Sequence, residues 1–209
     1  MILGFAHLAF STADADTAVA AFGRRGLTIG AAYRKVPSNP AKAPLLGRPA
    51  ASHDLILLSG SIAVEVVSHD TGTAPGRAKL DLESDDRTIA LRVRRVARER
   101  EFLTASLGCV ASEDGATLEV RGPFPGWRAT LRLVEDAEAP EMPVLDIDGF
   151  SCLGFYSNNL QEDTARLLET GARHATKAFN VKLGDRQMEI LMLRSPDGIV
   201  IELIKVIRT

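Results

Sequence analysis

The chain has 209 residues, 45% hydrophobic and 25% charged, which excludes a permanently disordered protein and leaves length for one large domain or two small ones. A net charge of -2 and a pI near 6.1 exclude a global electrostatic pull toward nucleic acid or an anionic membrane, so the expected partner is a small molecule. No apolar run approaches the roughly 20 residues of a membrane span, and the first ten residues lack the basic segment and cleavage site of a secretory leader. The expected location is cytoplasmic, with Cys109 and Cys152 as free thiols.

In chain order, residues 1–70 read as a first βαβββ unit. A strand over 4–10 is followed by candidate N-caps Ser11, Thr12 and Asp14, an apolar helical stripe from Ala18 to Phe22, and Gly26 to stop the helix. Strands follow at 27–36, 54–58 and 62–68, with a Pro-rich loop over 37–49. Residues 70–86 read as a linker. A weaker version of the unit occupies 87–135: strand 88–93, helix 97–106, then strands 107–110, 116–120 and 128–134. Residues 136–148 read as a second linker. The third unit, 147–209, repeats the order, with a helix over 160–169 ended by Gly171 and strands near 175–181, 188–193 and 199–206. The fold class is therefore α+β, made of βαβββ modules, two clear and the middle one degenerate.

The outer units align without a gap: residues 4–10 (GFAHLAF) fall on 149–155 (GFSCLGF), so His7 matches Cys152. Residues 61–67 fall on 198–204, so Glu65 matches Glu202. Placing Val93 on Phe10 puts Ala90 at the histidine position, and placing Gly126 on Gly198 puts Thr130 at the glutamate position. The middle unit then carries neither polar residue.

Glu65 and Glu202 stand in strands whose two alternating faces are both apolar, and His7 shares its face with Phe5 and Ala9. Burying a lone carboxylate costs several kcal/mol unless a cation or hydrogen-bond donors compensate it, and a metal ion would suffice. Taken singly, a histidine in an apolar strand is more often a hydrogen-bonded core residue, and a glutamate in a short strand usually points to solvent. Recurrence at matched positions in two units is what raises them to a site.

The first-strand His7 in an HLAF run, the Ser-Pro-Asp-Gly turn at 195–198 and the last-strand Ile-Glu-Leu at 201–203 resemble the vicinal oxygen chelate superfamily, which includes glyoxalases, bleomycin-resistance proteins and extradiol dioxygenases. The resemblance covers most of the chain. It implies half-open barrel-like sheets, a small substrate with vicinal oxygens and a divalent metal (Fe, Zn, Ni or Mn). By position the ligands it implies are His7, Glu65, Cys152 and Glu202, with Cys152 where a second histidine is common and Glu202 also as general base. Lyase, isomerase and ring-cleaving dioxygenase activities stay open, as does a metal-free binding or resistance protein. The first unit is expected to pair with the third. The unpartnered middle sheet points to a homodimer.

Walker, GxGxxG, GxSxG and HExxH motifs are missing. The arginines between Arg92 and Arg100 read as a solvated face, and His53, His69 and His174 as exposed positions near element ends. Phe124 and Trp127 fit either packing or a pocket.

Overall fold

The computed structural model describes residues 1–60, 62–72, 88–124, 126–139 and 144–207. Most of the expected linker over 70–86 and part of that over 136–148 lie outside them. The first unit comprises β1 (Ile2–Ser11), α1 (Ala15–Gly23), β2 (Thr28–Pro37), β3 (Ser52–Ser59) and β4 (Ala63–His69), with a 3₁₀ turn at Pro40–Leu45 in the long loop. The middle unit comprises β5 (Thr88–Val93), α2 (Val96–Leu107), β6 (Val110–Ala111), β7 (Thr117–Arg121) and β8 (Arg128–Glu135). The third comprises β9 (Gly149–Ser157), α3 (Leu160–Glu169), β10 (Phe179–Leu183), β11 (Arg186–Arg194) and β12 (Val200–Ile207). The expected α+β architecture of βαβββ modules is what the structure shows. The largest boundary difference is β10, which begins at Phe179 and not near 175.

The helices begin where side chains replace the missing backbone partners. Asp14 accepts from Thr17 N at 3.0 Å ahead of α1, and Asn159 accepts from Glu162 N at 3.2 Å ahead of α3. α1 buries Ala18 and Phe22 against the sheet, where Phe22 lies 5.2 Å from Phe10 between ring centroids. α3 does the same with Leu160 and Leu167.

The outer modules join into one eight-stranded sheet of order β2-β3-β4-β1-β9-β12-β11-β10, curved around a cavity. The seam is the antiparallel pair β1–β9, whose register opposes Leu8 to Leu153. Those two residues are equivalent in the sequence repeat, so an approximate twofold axis passes between them. The axis then sets His7 opposite Gly154 and Ala9 opposite Cys152.

The middle module forms a separate four-stranded sheet, β5-β8-β7-β6, whose apolar face shares the main core through Ile89, Leu91, Leu131 and their neighbours. Counting back from the helix starts, with N-caps at Asp14, Arg95 and Asn159, Ala90 corresponds to Ala9 and Gly154. The cross-strand partner of Ala90 is Arg132, where Ala9 and Gly154 have Glu65 and Glu202. The alignment that placed Ala90 and Thr130 at the ligand positions is thus shifted by two residues. Thr88 and Arg132 hold those places. A two-residue slip keeps every side chain on its face, so the apolar pattern cannot detect it.

A candidate metal centre

Two rows of residues cross the central strands. In one, β1, β9 and β12 align His7, Gly154 and Glu202; in the other, β4, β1 and β9 align Glu65, Ala9 and Cys152. Each row has a small residue at its centre, which opens space for the side chains on either flank. At Gly154 the space is tight: a Cβ there would sit 2.6 Å from His7 Cε1 and 2.7 Å from its Nδ1, because the imidazole lies directly over the glycine. Only hydrogen at this position lets His7 reach Glu202.

They do meet. His7 Nε2 lies 3.1 Å from Glu202 Oε2 and 3.6 Å from Glu65 Oε2, with His7 and Glu202 almost fully buried and Glu65 only slightly exposed. Nε2 is also a buried atom without a hydrogen-bond partner of good geometry. The ligand atoms of His7, Cys152 and Glu202 all lie within 4.8 Å of one another, and Glu65 adjoins this cluster through His7. The four residues expected from the repeat are therefore neighbours in space.

The cluster is electrostatically uneven. Burial works against the charged imidazole of His7, yet the charge of Glu65 and the contact with Glu202 outweigh it and raise its pKa. Burial alone would raise Glu202 as well, but its contact with His7 pulls it below the usual carboxylate value. Glu65 goes the other way: burial raises its pKa against the pull of His7, with Glu202 adding to the rise. Cys152 is pushed well above an ordinary thiol by burial and by the two nearby acids, and it stays protonated in the absence of a metal ion.

A metal ion fits this donor set. Two donors bound to one ion at about 2.1 Å lie about 3.0–3.4 Å apart, close to the His7–Glu202 separation of 3.1 Å. An ion would also occupy the lone pair of the orphaned His7 nitrogen and compensate two buried acids. His7, Glu202 and Glu65 are the residues that would hold it, and Cys152 would join only on losing its proton.

The cluster forms part of the wall of a cavity of about 510 Å³, a volume in the range of small-molecule sites. His7, Glu65 and Glu202 line it, whereas Cys152 is packed among Leu45, Leu145 and Phe179 and does not. Much of the rest of the cavity lining is aromatic and apolar, including Tyr33, Trp127, Tyr156 and Phe179. Trp127 comes from the β7–β8 turn of the middle module, which rests on β1 so closely that a Cβ on Gly4 would meet Arg121 O at 2.8 Å. The module without ligands thus supplies a wall. Trp127 stacks on Phe124 with centroids 5.5 Å apart, so both the packing and the pocket readings hold for it.

His53 and His69 correct the expectation of exposure. They oppose each other across β3 and β4, 6% and 7% exposed, with rings 5.7 Å apart. Burial, Lys42 and His69 hold the pKa of His53 down at about 4, so it is neutral at pH 7, and it lines the cavity. The signal lay in strand alternation: His53 shares a face with Leu55 and Leu57, and His69 with Glu65 and Val67. His174 is exposed as expected. Lys42 and Tyr33 also line the cavity and were not singled out from sequence, since a loop lysine and a strand tyrosine carry no distinguishing pattern.

The chain is similar to solved structures of the vicinal oxygen chelate superfamily. Methylmalonyl-CoA epimerase from Mycobacterium tuberculosis matches 99% of this chain and 90% of its own at 14% identity, with a TM-score of 0.44. Glyoxalase I from Zea mays matches 97% of this chain and 67% of its own at 15% identity and a TM-score of 0.39. A glyoxalase/bleomycin resistance protein from Albidiferax ferrireducens T118 covers 57% of this chain and 97% of its own at 17% identity and a TM-score of 0.39. No family model and no curated protein sequence matches. At these identities the chemistry has to be argued from the residues of the chain itself. Among the described residues no helix is long and apolar enough to cross a membrane.

Proposed function

We propose that the chain is a metal-dependent enzyme of the vicinal oxygen chelate superfamily, a lyase, isomerase or dioxygenase acting on a small substrate with adjacent oxygen atoms, and that its partner in assembly is a second copy of itself. The observation that carries the reading is His7 Nε2, buried without a hydrogen-bond partner of good geometry, within 3.6 Å of the Glu65 and Glu202 carboxylates, in the wall of a largely apolar cavity. A bound divalent ion would supply Lewis acidity to a pair of substrate oxygens.

The protein's own groups divide the remaining work. Without an ion His7 and Glu202 hold each other in their charged forms; to bind one, His7 would give up that proton, and its freed lone pair and the Glu202 carboxylate would serve as the anchor. Glu65, whose burial raises its affinity for a proton, is the group best suited to take a proton from substrate and return it, a role the sequence assigned to Glu202. The apolar part of the lining lowers the local dielectric and strengthens each of these interactions.

Metal content of the purified protein tests the proposal. Wild type should hold about one divalent ion per chain, and His7→Ala and Glu202→Ala should each lose it. Wild-type protein that takes up no metal on incubation with Fe, Zn, Ni or Mn would sink the enzyme reading.

A specific observation favours a second reading. His7 and Glu202 already neutralise each other, and the Cys152 thiol is held protonated, so the cavity is stable in charge without an ion. A metal-free binding protein would show ligand-induced thermal shifts that a chelator leaves unchanged.

A further inference from the structure

Between Pro37 and Ser52 the chain forms a strap that contributes Pro37, Asn39 and Lys42 to the cavity wall, and its 3₁₀ turn is fixed at both ends. Asn39 accepts from Ala41 N at 3.0 Å through its side chain and from Lys42 N at 2.9 Å through its carbonyl. Downstream, Leu145 N donates to Leu45 O at 2.7 Å, and both Asp146 oxygens accept from Gly47 N and Arg48 N at 2.6 and 3.1 Å. Leu45, only 1% exposed, seals the strap against the sheet. This places Lys42 in the cavity wall with its ammonium 5.7 Å from the centre of the Phe179 ring.

The ammonium has no ion pair and no hydrogen bond among the described residues and lies over the Phe179 ring. It is nonetheless close enough to bias His7, Glu65, Glu202, Cys152 and His53, all toward their less protonated forms. His7 and Glu202 balance each other's charge and His53 is neutral, whereas Lys42 has no such partner and stands against the Phe179 ring. Arg186 also lines the cavity but is exposed, where solvent screens it.

We propose that Lys42 is the specificity-determining residue of this cavity and that the ligand is a small aromatic molecule bearing one carboxylate, which Lys42 binds while the ring packs among Tyr33, Trp127, Tyr156 and Phe179. The proposal rests on reading the cavity as a small-molecule site and not on the identity of the reaction.

Trp127 is the one tryptophan in the chain and lines the cavity, so its fluorescence reports occupancy directly. The probes are cinnamate and cinnamamide, equal in shape and different in charge. Wild type should bind cinnamate at least about tenfold more tightly, the value of one charged hydrogen bond in a shielded site. Lys42→Met should equalise the two, and Lys42→Arg should keep the preference. Equal binding of both probes by wild type, a preference that survives in Lys42→Met, or no response to either probe overturns the proposal. Metal content of the same samples separates the two readings: metal-free protein with the Lys42-dependent preference overturns the metal enzyme and supports the ligand class.

Discussion

His7 reaches Glu202 across an intervening strand because Gly154 presents no side chain between them. The backbone at Gly154 is ordinary for a strand, so alanine there meets no conformational penalty and acts only through its methyl group, which would displace the imidazole. Gly154→Ala is therefore expected to leave the fold intact by circular dichroism and to weaken metal binding more than tenfold, measured by competition with a chromogenic chelator. Unchanged affinity would mean that His7 is not a ligand. At this scale much was legible: the recurrence of His7 and Cys152, and of Glu65 and Glu202, gave all four members of the cluster. What the repeat did not disclose is the unequal protonation of the two acids. That depends on which of them lies nearer the imidazole, 3.1 Å for Glu202 against 3.6 Å for Glu65.

Among the elements, α2 is held by a turn of another module. Its N-cap position is Arg95, which has no capping side chain, and Asp197 of the Ser-Pro-Asp-Gly turn accepts from Arg95 N at 2.6 Å. Glu99, one turn further on and fully buried, accepts from Asp197 N at 3.0 Å. The turn that carried the family resemblance thus serves here as the junction between the middle and third modules. Burial raises the pKa of Glu99 from 4.5 to about 7, partly opposed by its hydrogen bonds to Ser195 and Asp197. Between those values the folded chain keeps a proton that the unfolded chain has released, so stability falls as pH rises from about 4.5 to about 7 and then levels. Glu99→Gln keeps an acceptor for Asp197 N and removes the titration. The variant should match wild type in thermal melts near pH 4.5 and exceed it by up to roughly 3 kcal/mol above pH 7. A pH-independent difference would show that Glu99 does not titrate in this range.

For the whole molecule, the seam between the outer modules is the outward edge of each first strand, β1 against β9. In the middle module β5 holds the same place, and among the described residues the corresponding edge of β5 carries no strand. An edge of free amides and carbonyls is a template for pairing, and a second copy offers a matching one about a twofold axis. Light scattering on a size-exclusion peak should give twice the 22.5 kDa chain mass, and a lysine placed at Ile89 or Leu91 is no test because both are core residues. Thr88→Pro or Ala90→Pro, each on the face away from the core, should instead yield monomer; a monomeric wild type would dismiss the second copy.

The sequence by itself determined the module order, the pairing of equivalent positions and the identity of the clustered residues, because these follow from apolar periodicity and from repetition, both properties of the linear chain. Only the tertiary structure decided the rest. The two-residue register of the middle module, the burial of His53 and His69, the arrival of Lys42 from the strap and of Trp127 from the ligand-free module all depend on contacts between segments far apart in the chain. The reason is physical: periodicity fixes which face of an element is apolar, whereas the charge and protonation of a side chain are set by neighbours that folding alone brings within a few ångströms.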